Sequence, residues 1–326
     1  MTATDACATP LDRDDPAVLV AGLVKRFGGT VALDGVSFSV RPGELFGLLG
    51  PDGGGKTTLF RILTTLLLPD DGSARVLGLD TSTDLWAIRS RVGYMPGRFS
   101  LYPDLSVAEN LDFFASVFGT SVEAEYDLIA PIYQQIEPFR DRRAGALSGG
   151  MKQKLALSCA LVHRPDILFL DEPTTGVDAV SRREFWDLLA GLRAGGLTIA
   201  VSTPYMDEAD RCDRVALIQK GRILAVDTPA GIVDRHPLPI LRVATPDRYR
   251  SIQLLRSYPH AHSVYPFGES LHYTDARGDV DPAALASELR AYLDRQGVLQ
   301  PEVEPIRAGI EDCFMALMDD PSLEPE

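Results

Sequence analysis

Residues 50–57 read GPDGGGKT, which fits the pattern G-x-x-x-x-G-K-[ST]. The apolar run LFGLL precedes it at residues 45–49, and the following residues predict a helix from Lys56 to about Leu68. A glycine-rich turn between a buried strand and a helix directs backbone N–H groups at phosphate oxygens, and the helix N-terminus adds positive partial charge. The sequence therefore predicts a phosphate-binding loop at this position of an α/β sheet.

Two side chains of this loop are expected to act directly on a nucleotide. Lys56 should reach the β- and γ-phosphates of ATP, and the Thr57 hydroxyl should be a ligand of Mg²⁺. The predicted cofactors are therefore ATP and Mg²⁺. The residues expected to contact the nucleotide are Gly50, Pro51, Asp52, Gly53, Gly54, Gly55, Lys56, Thr57 and Thr58.

A second apolar run, ILFL at residues 167–170, is followed by two acidic residues. Such a strand delivers Asp171 to its carboxyl end, where ligands lie in open α/β sheets. Asp171 is predicted to hold Mg²⁺, directly or through water, and Glu172 to polarise the attacking water as a general base. Taken alone, an apolar run before Asp-Glu is typical of an ordinary capped strand end. The run indicates a nucleotide site only because the same chain also contains the phosphate-binding loop.

Between these two motifs, residues 147–153 read LSGGMKQ. The pair Gly149 and Gly150 exposes backbone N–H groups at the predicted start of a helix, which is again an anion site. The sequence therefore contains two separate positions suited to phosphate.

These stretches together resemble the nucleotide-binding subunit of ABC transporters. Within that family they resemble the bacterial ABC-2, multidrug-export-like group. The resemblance covers about residues 18–230. Its matching stretches are residues 50–58, 93–96, 102–111, 147–153, 167–178 and 205–209, with a tail resemblance at 309–314. It implies a P-loop NTPase of ABC type with a helical insert at about residues 99–146.

The resemblance also implies roles for individual residues. Ser148, Gly149 and Gly150 would contact the γ-phosphate of ATP held on an opposite subunit, and Asp178 would belong to the same catalytic set. Phe27 would stack on adenine. The chain would act as a homo- or heterodimer, peripheral on the cytoplasmic face of the membrane, with its insert docked on separate membrane-spanning permease subunits.

Three positions depart from the family's pattern. Gly97 stands where a glutamine reaches Mg²⁺ and the attacking water, and Pro204 where a histidine contacts the γ-phosphate. Asp52 stands where asparagine is usual. We therefore expect good Mg·ATP binding but slow hydrolysis at the chain's own phosphate loop. Two alternatives stay open: neighbouring residues take over both roles, or the chain is a nucleotide-gated, poorly hydrolysing regulatory partner of a second ATPase subunit.

The net charge and the distribution of cysteines argue against several classes of protein. The chain has 326 residues and a net charge of −14, which argues against a nucleic-acid partner because phosphate-backbone binding requires clustered Lys and Arg. An ABC-type ATPase acting on nucleic acid or the ribosome is therefore the weaker reading. Scattered cysteines indicate a reducing cytoplasm rather than a disulfide or metal framework.

The sequence pattern divides the chain into four segments. We expect a disordered leader at residues 1–16, the ATP-binding domain at 17–230, a small α+β domain at 231–320 and an acidic tail at 321–326. The element order β-α-β-β-α-β-α suggests a ferredoxin-like topology for the small domain. Trp86 and Trp186 lie on helical patterns and are expected to pack in the core.

Overall fold

The strand before the phosphate loop lies inside a six-stranded sheet. The computed structural model describes residues 15–97, 101–236 and 238–318, so most of the predicted leader and the whole tail lie outside the described residues. The chain divides into two compact units between Pro229 and Ala230. Each unit is described by itself.

The first unit contains both strands and helices. Its strands are β1 (Val18–Phe27), β2 (Thr30–Val40), β3 (Leu45–Leu49), β4 (Asp71–Val76), β5 (Leu79–Asp80), β6 (Val92–Met95), β7 (Ile167–Asp171), β8 (Thr198–Thr203), β9 (Arg214–Gln219) and β10 (Arg222–Asp227). Its helices are α1 (Lys56–Leu63), α2 (Leu85–Arg89), α3 (Val107–Val117), α4 (Tyr126–Tyr133), α5 (Gly149–Leu161) and α6 (Ala179–Ala194).

The six-stranded sheet has the order β10-β9-β3-β8-β7-β6, in which all neighbours are parallel except β10 and β9. Every residue of β3 and β7 is buried, as expected for strands covered on both faces. Because parallel strands end at the same edge, Gly50, Asp171 and Thr203 are brought to one side of the sheet. The predicted α/β fold is confirmed.

A second, antiparallel sheet of four strands has the order β2-β1-β4-β5. Its apolar side chains share one buried cluster with the first sheet and α1, in which Leu33, Phe60 and Phe169 are almost fully buried. The helix that follows the phosphate loop is therefore packed into the core shared by the two sheets.

The helical insert begins with a capping box. The backbone N–H of Glu109 donates to Ser106 Oγ at 3.1 Å, and the Glu109 carboxylate accepts from the Ser106 N–H at 2.7 Å. Asn110, fully buried, donates to the carbonyls of residues 102, 105 and 106 and so fastens the chain that enters α3.

One predicted helix is shorter than expected. Helix α1 ends at Leu63 because Thr65 takes a left-handed φ of 61°, and the Leu66 N–H then donates to the Arg61 carbonyl at 2.7 Å. The second helix of the insert spans Tyr126–Tyr133; Pro131 lies inside it and has no N–H to donate.

One tryptophan prediction is also wrong. Trp186 is buried on α6, but the Trp86 side chain on α2 is 77% exposed. No helix within the three described ranges has both the length and the apolar character that a bilayer crossing requires.

The second unit begins with α7 (Pro229–Asp234) at the division point. It continues with β11 (Ile240–Ala244), α8 (Arg248–Arg256), β12 (Ala261–Phe267), β13 (Ser270–Asp275), α9 (Pro282–Arg295), β14 (Glu302–Ile306) and α10 (Ile310–Met318). The four strands form an antiparallel sheet of order β12-β13-β11-β14. This is the ferredoxin-like arrangement that the element order predicted. Both outer strands contain a proline, Pro266 and Pro305, which cannot donate to a further strand.

Candidate functional site

The phosphate loop is shaped by close backbone contacts. A Cβ at Gly50 would lie 2.1 Å from the Ile218 carbonyl oxygen, so only glycine fits there. Gly55 has a φ of 106°, a left-handed conformation, and a Cβ there would meet the Ala32 oxygen at 2.6 Å. The Gly221 N–H donates to the Gly54 carbonyl at 3.0 Å, which joins the loop to the β9–β10 turn.

Lys56 lies at the centre of the loop, and its side chain is only 3% exposed. Its Nζ donates to the carbonyl oxygens of Gly50 at 2.8 Å and Pro51 at 3.0 Å. The same atom lies 3.1 Å from Glu172 Oε1. A cleft of about 300 Å³ opens beside it, lined by Ala32, Asp52, Gly53, Gly55, Lys56, Thr57, Thr58 and Glu172.

Asp171 ends strand β7 opposite Ser202 of β8, and Glu172 follows it directly. The Ser202 hydroxyl donates to Asp171 Oδ1 at 2.6 Å, and the Glu172 N–H reaches both Ser202 Oγ and the Ser202 carbonyl at 3.0 Å. Glu172 has a φ of 51°, a conformation that a non-glycine residue adopts at a cost of about 1–3 kcal/mol. This turn directs the Glu172 carboxylate to Lys56.

Two residues of this region were missed by sequence reasoning. Ser202 binds both acidic residues, but its register opposite Asp171 could not be read from the chain. Tyr94 on β6 is partly buried near the Asp171 carboxylate. Burial, with the negative charge of Asp171, raises the pKa of Tyr94 to about 12, so its hydroxyl stays protonated at neutral pH.

Two of the three departures from the family pattern, Gly97 and Pro204, lie at the same edge of the sheet. A Cβ on Gly97 would lie 2.9 Å from the Asp171 carbonyl oxygen, so the backbone itself approaches the end of β7. Pro204 follows Thr203, whose Oγ1 donates to buried Glu208 and accepts the Tyr205 N–H at 3.1 Å. The hydroxyls of both Ser202 and Thr203 therefore already have partners.

The LSGG segment forms the start of α5. Ser148 is the N-cap and is exposed, with its Oγ accepting weakly from the Met151 N–H at 3.4 Å. Gly149 is also exposed, whereas a Cβ on Gly150 would lie 2.7 Å from Ser181 Oγ of α6. The first turn of this 13-residue helix therefore presents N–H groups to the outside.

The remaining predicted residues lie apart from the phosphate cleft. Asp178 caps α6 by accepting the N–H groups of Val180 at 3.1 Å and Ser181 at 3.0 Å. Its hydrogen bonds with Ser181 hold the pKa of the Asp178 carboxyl below its ordinary value, so it stays ionised. The Phe27 ring at the end of β1 is 51% exposed, with Lys25 Nζ 5.6 Å from its centre.

The oxygen atoms and the positively charged groups at the cleft fit Mg²⁺ and a triphosphate. Mg²⁺ takes oxygen ligands and is usually held by one or two carboxylates together with substrate phosphates. The Thr57 hydroxyl lines the cleft, and the carboxylate of Asp171 is oriented by Ser202 at the end of the neighbouring strand. Lys56 and the N-terminus of α1 supply the positive charge that phosphates require.

Comparison with known proteins agrees with this geometry. The model of the ABC transporter family matches residues 33–175. The Nod factor export ATP-binding protein I of Burkholderia orbicola is 37% identical over 298 residues, which are 90% of this chain and 94% of that protein. The probable multidrug ABC transporter ATP-binding protein YbhF of Escherichia coli is 41% identical over 248 residues, 74% of this chain. The match spans only 42% of the length of YbhF.

Solved structures match about two thirds of the chain. CbiO1 of Clostridium perfringens, part of the ABC transporter complex cbiONQ, has a TM-score of 0.61 and 27% identity over 68% of this chain and 92% of its own. The ATP-binding cassette MJ0796, a dimer in a post-hydrolysis state with ADP and phosphate, has a TM-score of 0.59 and 25% identity over 65% and 98%. By its fold, its phosphate loop and these relatives, the chain belongs to the ABC transporter family and carries that family's ATP-binding cassette.

Proposed function

We propose that this protein binds and hydrolyses Mg·ATP as one subunit of a dimer that powers a membrane exporter. The observation that carries the proposal is the pairing of a buried lysine loop with an exposed anion site at Ser148 on the same unit. One copy would hold the nucleotide on Lys56, and a second copy or a relative would cover it with its Ser148 turn. The protein would therefore act at the cytoplasmic face of the membrane, where ATP is available.

Within that site each residue would have a distinct task. Lys56 and the backbone of residues 50–57 bind the phosphates, while Thr57 and Asp171 would hold Mg²⁺. Bound Mg²⁺ neutralises charge that develops on the phosphates. Glu172, released from Lys56 when a phosphate takes its place, accepts a proton from the attacking water. Phe27 would stack on adenine, and Asp178 would contribute at the subunit boundary.

An apolar groove supports docking on membrane-spanning partners. It has a volume of about 340 Å³ and lies between the insert and the sheet layer; among its lining residues are Leu66, Trp86, Phe114, Val117 and Phe118. Trp86, Val117 and Leu66 are strongly exposed. Contiguous exposed apolar surface of this kind marks a protein interface. The names of the relatives as multidrug and Nod factor export proteins support export as the direction of transport.

The docking proposal predicts that Trp86→Ala weakens recovery of membrane subunits by about 30-fold, since an interfacial tryptophan commonly contributes 2 kcal/mol or more. The variant and wild-type chains would be expressed in the native cell, solubilised in detergent and purified, and bound chains quantified by mass spectrometry. Leu299→Ala is the matched control, because Leu299 is equally exposed but lies in the second unit. Equal recovery with both variants would refute docking at this groove.

We further propose that the chain's own ATP site hydrolyses slowly. Gly97 and Pro204 supply neither of the polar side chains that the resemblance implies at these positions. The neighbouring hydroxyls of Ser202 and Thr203 are already bonded to Asp171 and Glu208, so they are poorly placed to substitute. The Ser148 turn of this chain keeps the family pattern and would complete an efficient ATP site on a different subunit. The chain would then be a nucleotide-gated regulatory partner, which is the alternative function.

This proposal predicts that Pro204→His accelerates single-turnover ATP hydrolysis at least about tenfold, because one oriented donor to a transition state is typically worth ~10²–10³ in rate. Pro204→Ala serves as the control, since it removes the ring without adding a donor. Adding Gly97→Gln requires the backbone to move away from the Asp171 oxygen, so the gain should come mainly from residue 204. Unchanged rates in Pro204→His and in the double variant would count against impairment by these positions.

A further inference from the structure

Protein acceptors surround the ammonium group of Lys56. It has three N–H donors and three acceptors within 3.1 Å, namely the Gly50 and Pro51 carbonyls and Glu172 Oε1. Two of these acceptors belong to the backbone of the loop itself. An incoming phosphate must therefore compete with the Glu172 carboxylate for the lysine.

Asp52 adds a second carboxylate at the same lysine. Its Oδ1 lies 3.9 Å from Lys56 Nζ, and its side chain is 88% exposed at the mouth of the cleft. Among the residues that line the cleft, Lys56 carries one positive charge and Asp52 and Glu172 two negative charges, which leaves the lining with a net charge of −1. The backbone N–H groups of the loop attract phosphate, whereas the net negative charge of the lining side chains repels an anion.

We propose that Asp52 makes nucleotide binding at this site depend on a divalent cation, by disfavouring free ATP more strongly than Mg·ATP. The inference rests on the proposed function, because it concerns the same nucleotide site. A divalent ion cancels two charges of the triphosphate, so the repulsion from a fixed carboxylate is smaller for the complex. At a separation of about 5 Å in surroundings close to water, each unit of charge changes the dissociation constant about fourfold.

Salt screening reduces this effect because Asp52 is exposed. We therefore expect the ratio of the dissociation constants for free ATP and Mg·ATP to fall about three- to tenfold in Asp52→Asn. The substitution preserves the shape of the side chain and leaves Lys56, Glu172 and the glycines of the loop in place. The difference should shrink at about 1 M salt, where the Debye length is about 3 Å.

The test is isothermal titration of the full chain with ATP, once in EDTA and once with excess Mg²⁺, at low and high salt. Asp112→Asn is the control, because Asp112 is an exposed carboxylate on α3 of the insert and changes the net charge equally. A smaller ratio in Asp52→Asn alone supports the proposal. Equal tightening of both forms, or no change, would mean that Asp52 does not select the metal complex.

The same titration separates this inference from the proposed function. If the wild-type chain binds Mg·ATP but the ratio is unaffected by Asp52→Asn, only the inference about Asp52 is overturned. If the wild-type chain binds no ATP in either condition, the proposed nucleotide site is wrong, and the inference falls with it.

Discussion

Glu172→Gln should slow ATP hydrolysis by about 10²–10⁴-fold, the usual contribution of a positioned general base, while ATP binding persists. The amide keeps the size of the carboxylate but cannot accept the proton of the attacking water. It also removes the ion pair that holds Lys56 at 3.1 Å, so binding of ATP should be as tight as in the wild type or tighter. Phosphate release and equilibrium titration would measure the two effects separately.

The same variant tests the composite site. With hydrolysis blocked, ATP should hold two subunits together, and sedimentation should detect a dimer that appears with Mg·ATP and disappears with ADP. If the native dimer is a heterodimer, the partner subunit must be present. Glu184→Gln is the control, because Glu184 lies on α6 in a surface ion pair with Lys154. Wild-type hydrolysis by Glu172→Gln would eliminate this residue as the base.

Gly50→Ala should destabilise the first unit by about 3 kcal/mol, at the upper end of the usual cost of overpacking. The reason is that the added Cβ would lie 2.1 Å from the Ile218 carbonyl oxygen, which is backbone and cannot rotate away. The same movement would displace the loop that binds phosphate, so ATP should no longer raise the melting temperature. Thermal unfolding should show a drop of about 6–12 °C for a unit of this size.

Gly191→Ala is the matched control for that measurement. Gly191 lies within α6, and a Cβ there would meet nothing within 4 Å. Alanine is the better helix former, so this change should leave stability equal or raise it by about 0.5–1 kcal/mol. Similar melting temperatures for both variants would mean that the contact with Ile218 does not constrain the loop.

The positions of the motif residues in the first unit could be predicted because the motifs are local. The residues 50–57, the apolar run of β7 and the cap at Ser148 each place a side chain through the strand or helix beside it. The ferredoxin-like unit was predictable for a different reason, since its hairpin and amphipathic helices leave few ways to arrange four strands. In both cases the pattern of neighbouring residues carried the information.

Tertiary contacts explain what the sequence did not reveal. The early end of α1 depends on the left-handed conformation of Thr65. The exposure of Trp86 depends on which layer α2 meets, and the residue type alone does not show whether the side chain will be buried. The pairing of Ser202 with Asp171 depends on the register of two parallel strands.

Ser202 has a mechanical consequence for the whole site. A single hydroxyl and its own peptide carbonyl bind both the Asp171 carboxylate and the Glu172 amide, two residues before a ring-locked Pro204. Any displacement of the end of β8 would therefore move Asp171, the proposed metal ligand, and Glu172, the proposed base, together.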